Sequence, residues 1–206
     1  MKVQFSLILA AIMTIFSSCI EHEVIPPPKV TVELSCSFRA LINGENYSIA
    51  GGTGTHTCLS TKAKELFPLP QPSTATYIAT INSPEVFDYI QIMIGKVLFN
   101  ADLNTDPTID QFRDFFTLNQ SPAFKTNGDG GVQIVHRDDL GRIWYSREND
   151  INFKSFIFTD LRYEDDDEAE YMKFTANFTC YLFNDIAVPT DSILVENGEY
   201  KGYFQR

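Results

Sequence analysis

From Val30 onward apolar and polar residues alternate with a period of two. Val30, Val32, Leu34, Cys36, Phe38, Ala40 and Ile42 fall on one side; Thr31, Glu33, Ser35, Ser37 and Arg39 fall on the other. Successive side chains of a strand point to opposite faces, so this run predicts a strand with one buried face. It is long for a single strand, which places a bend or bulge near Ser35. Asn43-Gly44 follows and suits a tight hairpin turn, because both residues tolerate positive φ. Tyr47 and Ile49 begin the return strand, and Gly51-Gly52-Thr53-Gly54 breaks it. The same pattern returns at Tyr171–Phe183, where Met172, Phe174, Ala176, Phe178, Cys180 and Leu182 are expected inward.

Between these ends the signals are shorter. Lys62 to Pro72, broken by Pro68, Pro70 and Pro72, is expected to be a loop or a single helical turn. Thr76–Ile81 and Phe87–Ile94 read as strands, the second apolar on both faces and therefore central. Pro107 to Phe116 is the best helix: Asp106 can cap it, Pro107 suits the first position, and Ile109, Phe112 and Phe116 share a side. Lys125 to Gly131 reads as a turn. Val132–Arg137 and Arg142–Arg147 form a hairpin around the four residues Asp138-Asp139-Leu140-Gly141. A four-residue loop pairs Ile134 with Tyr145, His136 with Ile143 and Val135 with Trp144, which puts His136 on the core face and Trp144 on the more polar one. Phe153–Thr159 is a further strand, Glu164 to Glu170 an acidic loop, and Ile193–Val195 and Tyr200–Phe204, separated by Asn197-Gly198, close the chain. About nine short strands with Gly-, Asn- and Asp-rich turns argue for an all-β, mainly antiparallel fold, a β-sandwich or flattened barrel with one short helix near 107–116.

The N-terminus follows other rules. Lys2, then an apolar stretch from Val3 to Phe16, then Ser17-Ser18-Cys19, describe a secretory leader too short to be a spanning helix. Small residues directly before a cysteine resemble a bacterial lipobox, which implies cleavage after Ser18 and diacylglycerol on the Cys19 thiol; Phe16 stands where Leu is usual. Ile20 to Lys29 carries Glu21, Glu23 and Pro26-Pro27-Pro28, and such proline runs favour an extended stalk. The expected organisation is therefore a leader over 1–18, a lipidated stalk over 19–29 and one β-domain over 30–206, facing the periplasm or the cell surface from the outer membrane.

Composition narrows the partners. The 206-residue chain holds 16 basic and 27 acidic residues, a formal charge of −11. Such a surface repels phosphate backbones, so nucleic acid is excluded as a partner, and the membrane is met through the lipid alone. Cys36, Cys58 and Cys180 sit in an oxidising compartment, where one disulfide is expected. The hairpin register places Gly51, not Cys58, opposite Cys36, so Cys36–Cys58 requires the glycine loop to fold back. Three pairings are possible; Cys36–Cys180 competes seriously with Cys36–Cys58, and the choice stays open.

No motif of a known chemistry emerges. Asp102-x-Asn104-x-Asp106 starts like a calcium loop, yet Pro107 replaces the glycine and Arg113 the bidentate glutamate. Glu164 to Glu168 is a like-charge run of the solvated kind. No Gly-x-Ser-x-Gly is present, and neither His56 nor His136 has an evident nucleophile beside it. No cofactor and no metal are expected, and the chain is read as a non-enzyme. Trp144, the sole tryptophan, stands out, with Asp138, Asp139 and Arg142 close by. An exposed tryptophan among polar groups can stack on a glycan or on an envelope-protein partner. The competing and more ordinary expectation is that a second sheet or the helix covers it.

"FRALINGENY" (38–47), "GVQIVHRDDLGRIWYS" (131–146) and "FTANFTCYLFN" with "ILVENGEYKGYF" (174–204) resemble small Bacteroidota lipoproteins that carry a β-rich domain of unknown function. The resemblance implies a lipidated envelope β-domain and brings no catalytic residue with it. The expected role is a non-enzymatic binding or assembly module. A structural or accessory subunit of an envelope complex, and a hydrolase with an unrecognised carboxylate pair, are the alternatives.

Overall fold

The alternation at the start of the domain survives in the folded chain. Cys36, Phe38 and Ala40 are buried and Val32 and Leu34 half-buried, while Thr31, Glu33, Ser35 and Arg39 face solvent. The computed structural model describes residue 29, residues 31–148 and residues 154–206. The leader, Cys19, the Pro-rich stalk and the expected strand start at Phe153 lie outside the described residues.

Ladder pairing begins only at Ser37, giving strand β1 (Ser37–Ile42), and the irregularity falls between Arg39 and Leu41 rather than near Ser35. Asn43 (φ 50°) and Gly44 (φ 82°) turn the chain into β2 (Glu45–Ala50) with Ile42 opposite Glu45. Both turn residues have positive φ, the geometry whose twist matches that of the flanking strands.

Residues 62–65, expected in a loop, belong instead to β3 (Thr57–Glu65), which pairs along its whole length with β4 (Ser73–Asn82). Thr57, Leu59, Thr61, Ala63 and Glu65 of this edge strand are exposed, and on its other side Lys62 and Lys64 follow Cys58 and Ser60, so no apolar period is visible; charged edges of this kind also discourage pairing with other chains. Strand β5 (Tyr89–Phe99) is central, flanked by β4 and by β6 (Gly131–Arg137). Strand β7 (Ile143–Tyr145) is short. The chain then runs through β8 (Ser155–Asp165), β9 (Glu170–Phe183) and β10 (Ser192–Gln205). Glu164 and Asp165 are thus strand, not loop; Asp166 closes the short turn by accepting from the N–H groups of Glu168 and Ala169. The two closing segments form one strand whose ladder shifts between Val195 and Gly198.

The helix, α1 (Ile109–Leu118), starts later than Asp106. Thr108 caps it: its hydroxyl accepts from Gln111 N at 3.2 Å, while Gln111 Oε1 accepts from Thr108 N at 2.8 Å. That reciprocal pair satisfies two orphan donors at once. Asp106 is drawn instead to Lys62 and Lys64, at 2.7 and 3.2 Å. Phe112 and Phe116 are buried as expected, whereas Ile109 stays exposed.

The fold is all-β and antiparallel: ten strands in one sheet, ordered β2-β1-β10-β9-β7-β6-β5-β4-β3, with β8 beside β9. The sheet curls into a half-barrel. Strands β10 and β4 stand far apart in that order, yet Tyr77 of β4 and Phe204 of β10 bring their rings to 6.4 Å. Gln205 N donates to Ser60 Oγ of β3 at 2.8 Å. Phe112 and Phe116 fill this end of the concave side, with Phe116 stacked on Phe204 at 5.0 Å. Along the same seam, Cys36, just before β1, and Cys58 of β3 are joined in a disulfide with Cα atoms 5.8 Å apart. This decides the pairing left open by the sequence: Cys180 is buried outside the bridge. Gly51 N bonds Cys36 O and Gly52 N bonds His56 O, so the glycine loop does fold back. A Cβ on Gly51 would fall within contact distance of both sulfurs, 2.8 Å from that of Cys36; the close approach requires glycine.

Candidate ligand-binding cleft

The β6–β7 hairpin departs from its expected register by one residue. Val135 pairs with Tyr145, His136 with Trp144 and Arg137 with Ile143. Asp138 N bonds Arg142 O, and Gly141, at φ 81°, donates its N–H to Asp138 O. The loop proper is therefore the three residues 139–141, a turn followed by a left-handed glycine. The Asp138 side chain fixes that parity, with Oδ1 accepting from the N–H groups of Leu140 and Arg142. A one-residue slip carries every side chain of a strand to the other face. Trp144 consequently shares the concave face with His136 and Ile90.

Trp144 is 2% exposed, and the expectation of an exposed stacking platform is corrected. Its two means of recognition are already taken within the molecule. The indole N–H donates to Asp138 Oδ2 at 3.1 Å, and the Arg142 guanidinium lies 5.2 Å from the ring centroid. Arg142 Nε reaches the same carboxylate oxygen at 2.8 Å. Burial pushes the Asp138 carboxyl up, but the bonds from the indole and from the backbone and guanidinium of Arg142 outweigh it, and the acid is held below its ordinary range.

Trp144, Asp138, Asp139 and Arg142 nevertheless line one open cleft of about 450 Å³, together with Tyr47, His136, Asp88 and the β1–β2 turn. Two hairpins distant in sequence form its walls, because the curl of the sheet brings β2 over β6. Tyr47 meets the His136 ring edge-on with centroids 5.3 Å apart. His136 is 3% exposed, and its Nδ1 lies 3.0 Å from Tyr89 O. A carbonyl only accepts, so Nδ1 carries the proton and Nε2 is left as an acceptor. Burial lowers the His136 pKa, against smaller opposing contributions from the Tyr89 carbonyl and the nearby aspartates.

A second set braces the wall. Asp88 accepts from the Tyr47 hydroxyl at 3.0 Å through Oδ2 and meets His56 Nε2 at 3.2 Å through Oδ1. Burial first, then the Asp88 charge and hydrogen bond, push the Tyr47 phenol far above its ordinary pKa. The sequence reading missed Tyr47, Asp88, Glu45 and Asn46 as members of the site. Asp88 sits in Ser83-Pro-Glu-Val-Phe-Asp, which carries no motif, and only the shape of the sheet brings it to β2. Asp102, Asn104 and Asp106 do not assemble a metal site, and no cluster with the makings of one occurs among the described residues.

No family model, no curated protein and no solved structure matches the chain.

Proposed function

We propose that this chain is a lipid-anchored protein of the bacterial outer membrane, of the small Bacteroidota type its motifs resemble, and that its β-domain works without catalysis, as a binding module. The observation that carries the binding reading is the cleft. It gathers Tyr47, Asp139, Arg142 and the buried His136 from hairpins far apart in the chain around an open volume of about 450 Å³, a size in the range of small-ligand sites. The non-enzymatic reading is supported by how the two more enclosed carboxylates of the lining, Asp138 and Asp88, are used. Asp138 accepts from Leu140, Arg142 and Trp144, and Asp88 from Tyr47, with His56 on its other oxygen. A general acid or base needs a carboxyl free to exchange a proton with a substrate, and both of these are engaged in holding walls.

The anchor rests on Ser17-Ser18-Cys19 and the Pro-rich stretch after it. Two or more acyl chains are needed for stable attachment. Intact mass spectrometry of the protein from its native membrane tests this part: a start at Cys19 with a diacylglyceryl adduct is expected, and a retained Met1 would remove it. The binding part is tested by screening the full chain against glycans and envelope peptides while following the fluorescence of Trp144. A saturable response at the cleft is expected. Activity on a glycosidic substrate, lost in Asp139→Asn, would replace the module with a hydrolase.

A further inference from the structure

The groups left without partners define what the cleft can accept. His136 is almost wholly buried, its Nδ1 is tied to the Tyr89 carbonyl of β5, and the opposite nitrogen, Nε2, meets no hydrogen-bonding group among the described residues while the side chain lines the cleft. Nε2 is therefore an acceptor aimed into the opening. Open to the cleft and unpartnered among the described residues, it is complemented by an N–H or O–H donor. Around it, Glu45 and Asp139 expose carboxylates that form no ion pair among the described residues. The one cation of the lining, Arg142, is engaged by Asp138 at 2.8 Å and lies over Trp144. An anionic ligand would meet unpaired acids and a cation already neutralised.

We propose that the cleft recognises a primary ammonium group, docked on His136 Nε2 in the negative field of the Glu45 and Asp139 carboxylates that line the same cleft, with the attached carbon chain against Tyr47. This rests on the reading of the cleft as the binding surface and names the chemistry of its ligand. An ammonium offers three donors and no acceptor, which matches the acceptors of the lining left unpaired among the described residues, His136 Nε2 and the carboxylates of Glu45 and Asp139. A lysine side chain, a polyamine and an amino sugar share that group.

The test uses the full chain in detergent, with Trp144 fluorescence and calorimetry as readouts and 1,5-diaminopentane as the probe. The isosteric 1,5-pentanediol, glutarate and a panel of neutral oligosaccharides are the other arms. Saturable binding of the diamine is expected, with no response to diol or glutarate. Glu45→Gln and Asp139→Asn, both at exposed positions where folding is not at stake, should each weaken it by about tenfold. Diamine binding that is unchanged in both variants overturns the proposal. Binding of a neutral oligosaccharide with no response to the diamine overturns it too, while leaving the cleft reading in place. Silence in every arm sinks both.

Discussion

Asp138 sets the floor of the cleft with one carboxylate. Its Oδ1 holds the backbone of the turn and its Oδ2 holds the indole N–H and the Arg142 Nε. Trp144 is consequently a structural residue in the wall of the cleft. Trp144→Ala should cost about 3–5 kcal/mol, as large core truncations do, and chemical denaturation will read it. Trp144→Phe, which keeps much of the ring but drops the N–H, should cost clearly less. If the alanine variant melts like the parent, burial of this residue is not what holds the hairpin. His136 makes a pH prediction. Burial depresses its pKa in the fold, against the pull of the Tyr89 carbonyl, Asp138, Asp88 and Asp139, while Tyr47 packs on its ring. A folded pKa below the unfolded one means that the unfolded chain takes the proton first as pH falls. Stability is then fully present above the unfolded value of about 6.5 and declines below it. Melting temperature should fall between pH 7 and pH 5, and His136→Gln, if it folds, should flatten that slope.

At the scale of elements, the helix and the edge strand are coupled through Asp106. The capping box at Thr108 and Gln111 starts α1, and Asp106 joins the loop before it to Lys62 and Lys64 of β3. Thr108→Ala should cost about 1 kcal/mol, or about 2–4 °C in melting temperature for a domain of this size. Asp106→Ala should leave the helix content unchanged by circular dichroism and raise amide exchange in β3. An equal loss of helicity in both variants would restore Asp106 as the cap. The sequence misjudged this element because Asp at that position is a plausible cap, and only the lysines of a distant strand redirect it. Strand β3 was hidden for a related reason: with one face in solvent and polar residues along it, its ladder to β4 is its main evidence.

For the molecule as a whole, closure of the half-barrel depends on two contacts between elements remote in sheet order. One is the aromatic packing of Tyr77, Phe116 and Phe204, with Gln205 bonded to Ser60. The other is the Cys36–Cys58 disulfide, which ties the residue before β1 to the edge strand β3 across a sequence separation of 22. A loop of that length constrains the unfolded chain by about 3 kcal/mol. Cys36→Ala/Cys58→Ala should lose about that much. Gly51→Ala should destabilise the oxidised protein and cost much less in the double-alanine background, since the added methyl then meets no sulfurs. Equal cost in the two backgrounds would mean that Gly51 is needed for its backbone and not for the space. The cleft depends on the same curl, because Tyr47 of β2 reaches His136 and Asp88 only when the sheet has come round.

The amino-acid order alone determined what is local. Period two marked β1, β9 and their inward residues, Asn43-Gly44 marked the hairpin and its register, and the aromatic pair Phe112 and Phe116 marked the buried side of the helix, because these follow from backbone geometry over a few residues. The tertiary structure decided what depends on parity and on distance through space. Whether the loop after Arg137 counts three residues or four rests on one carboxylate, and that single step moved Trp144 from the expected polar face to the interior. Which cysteines pair, and which acids gather round His136, followed only from the curl of the sheet, since no residue's near neighbours record which strand will close against it.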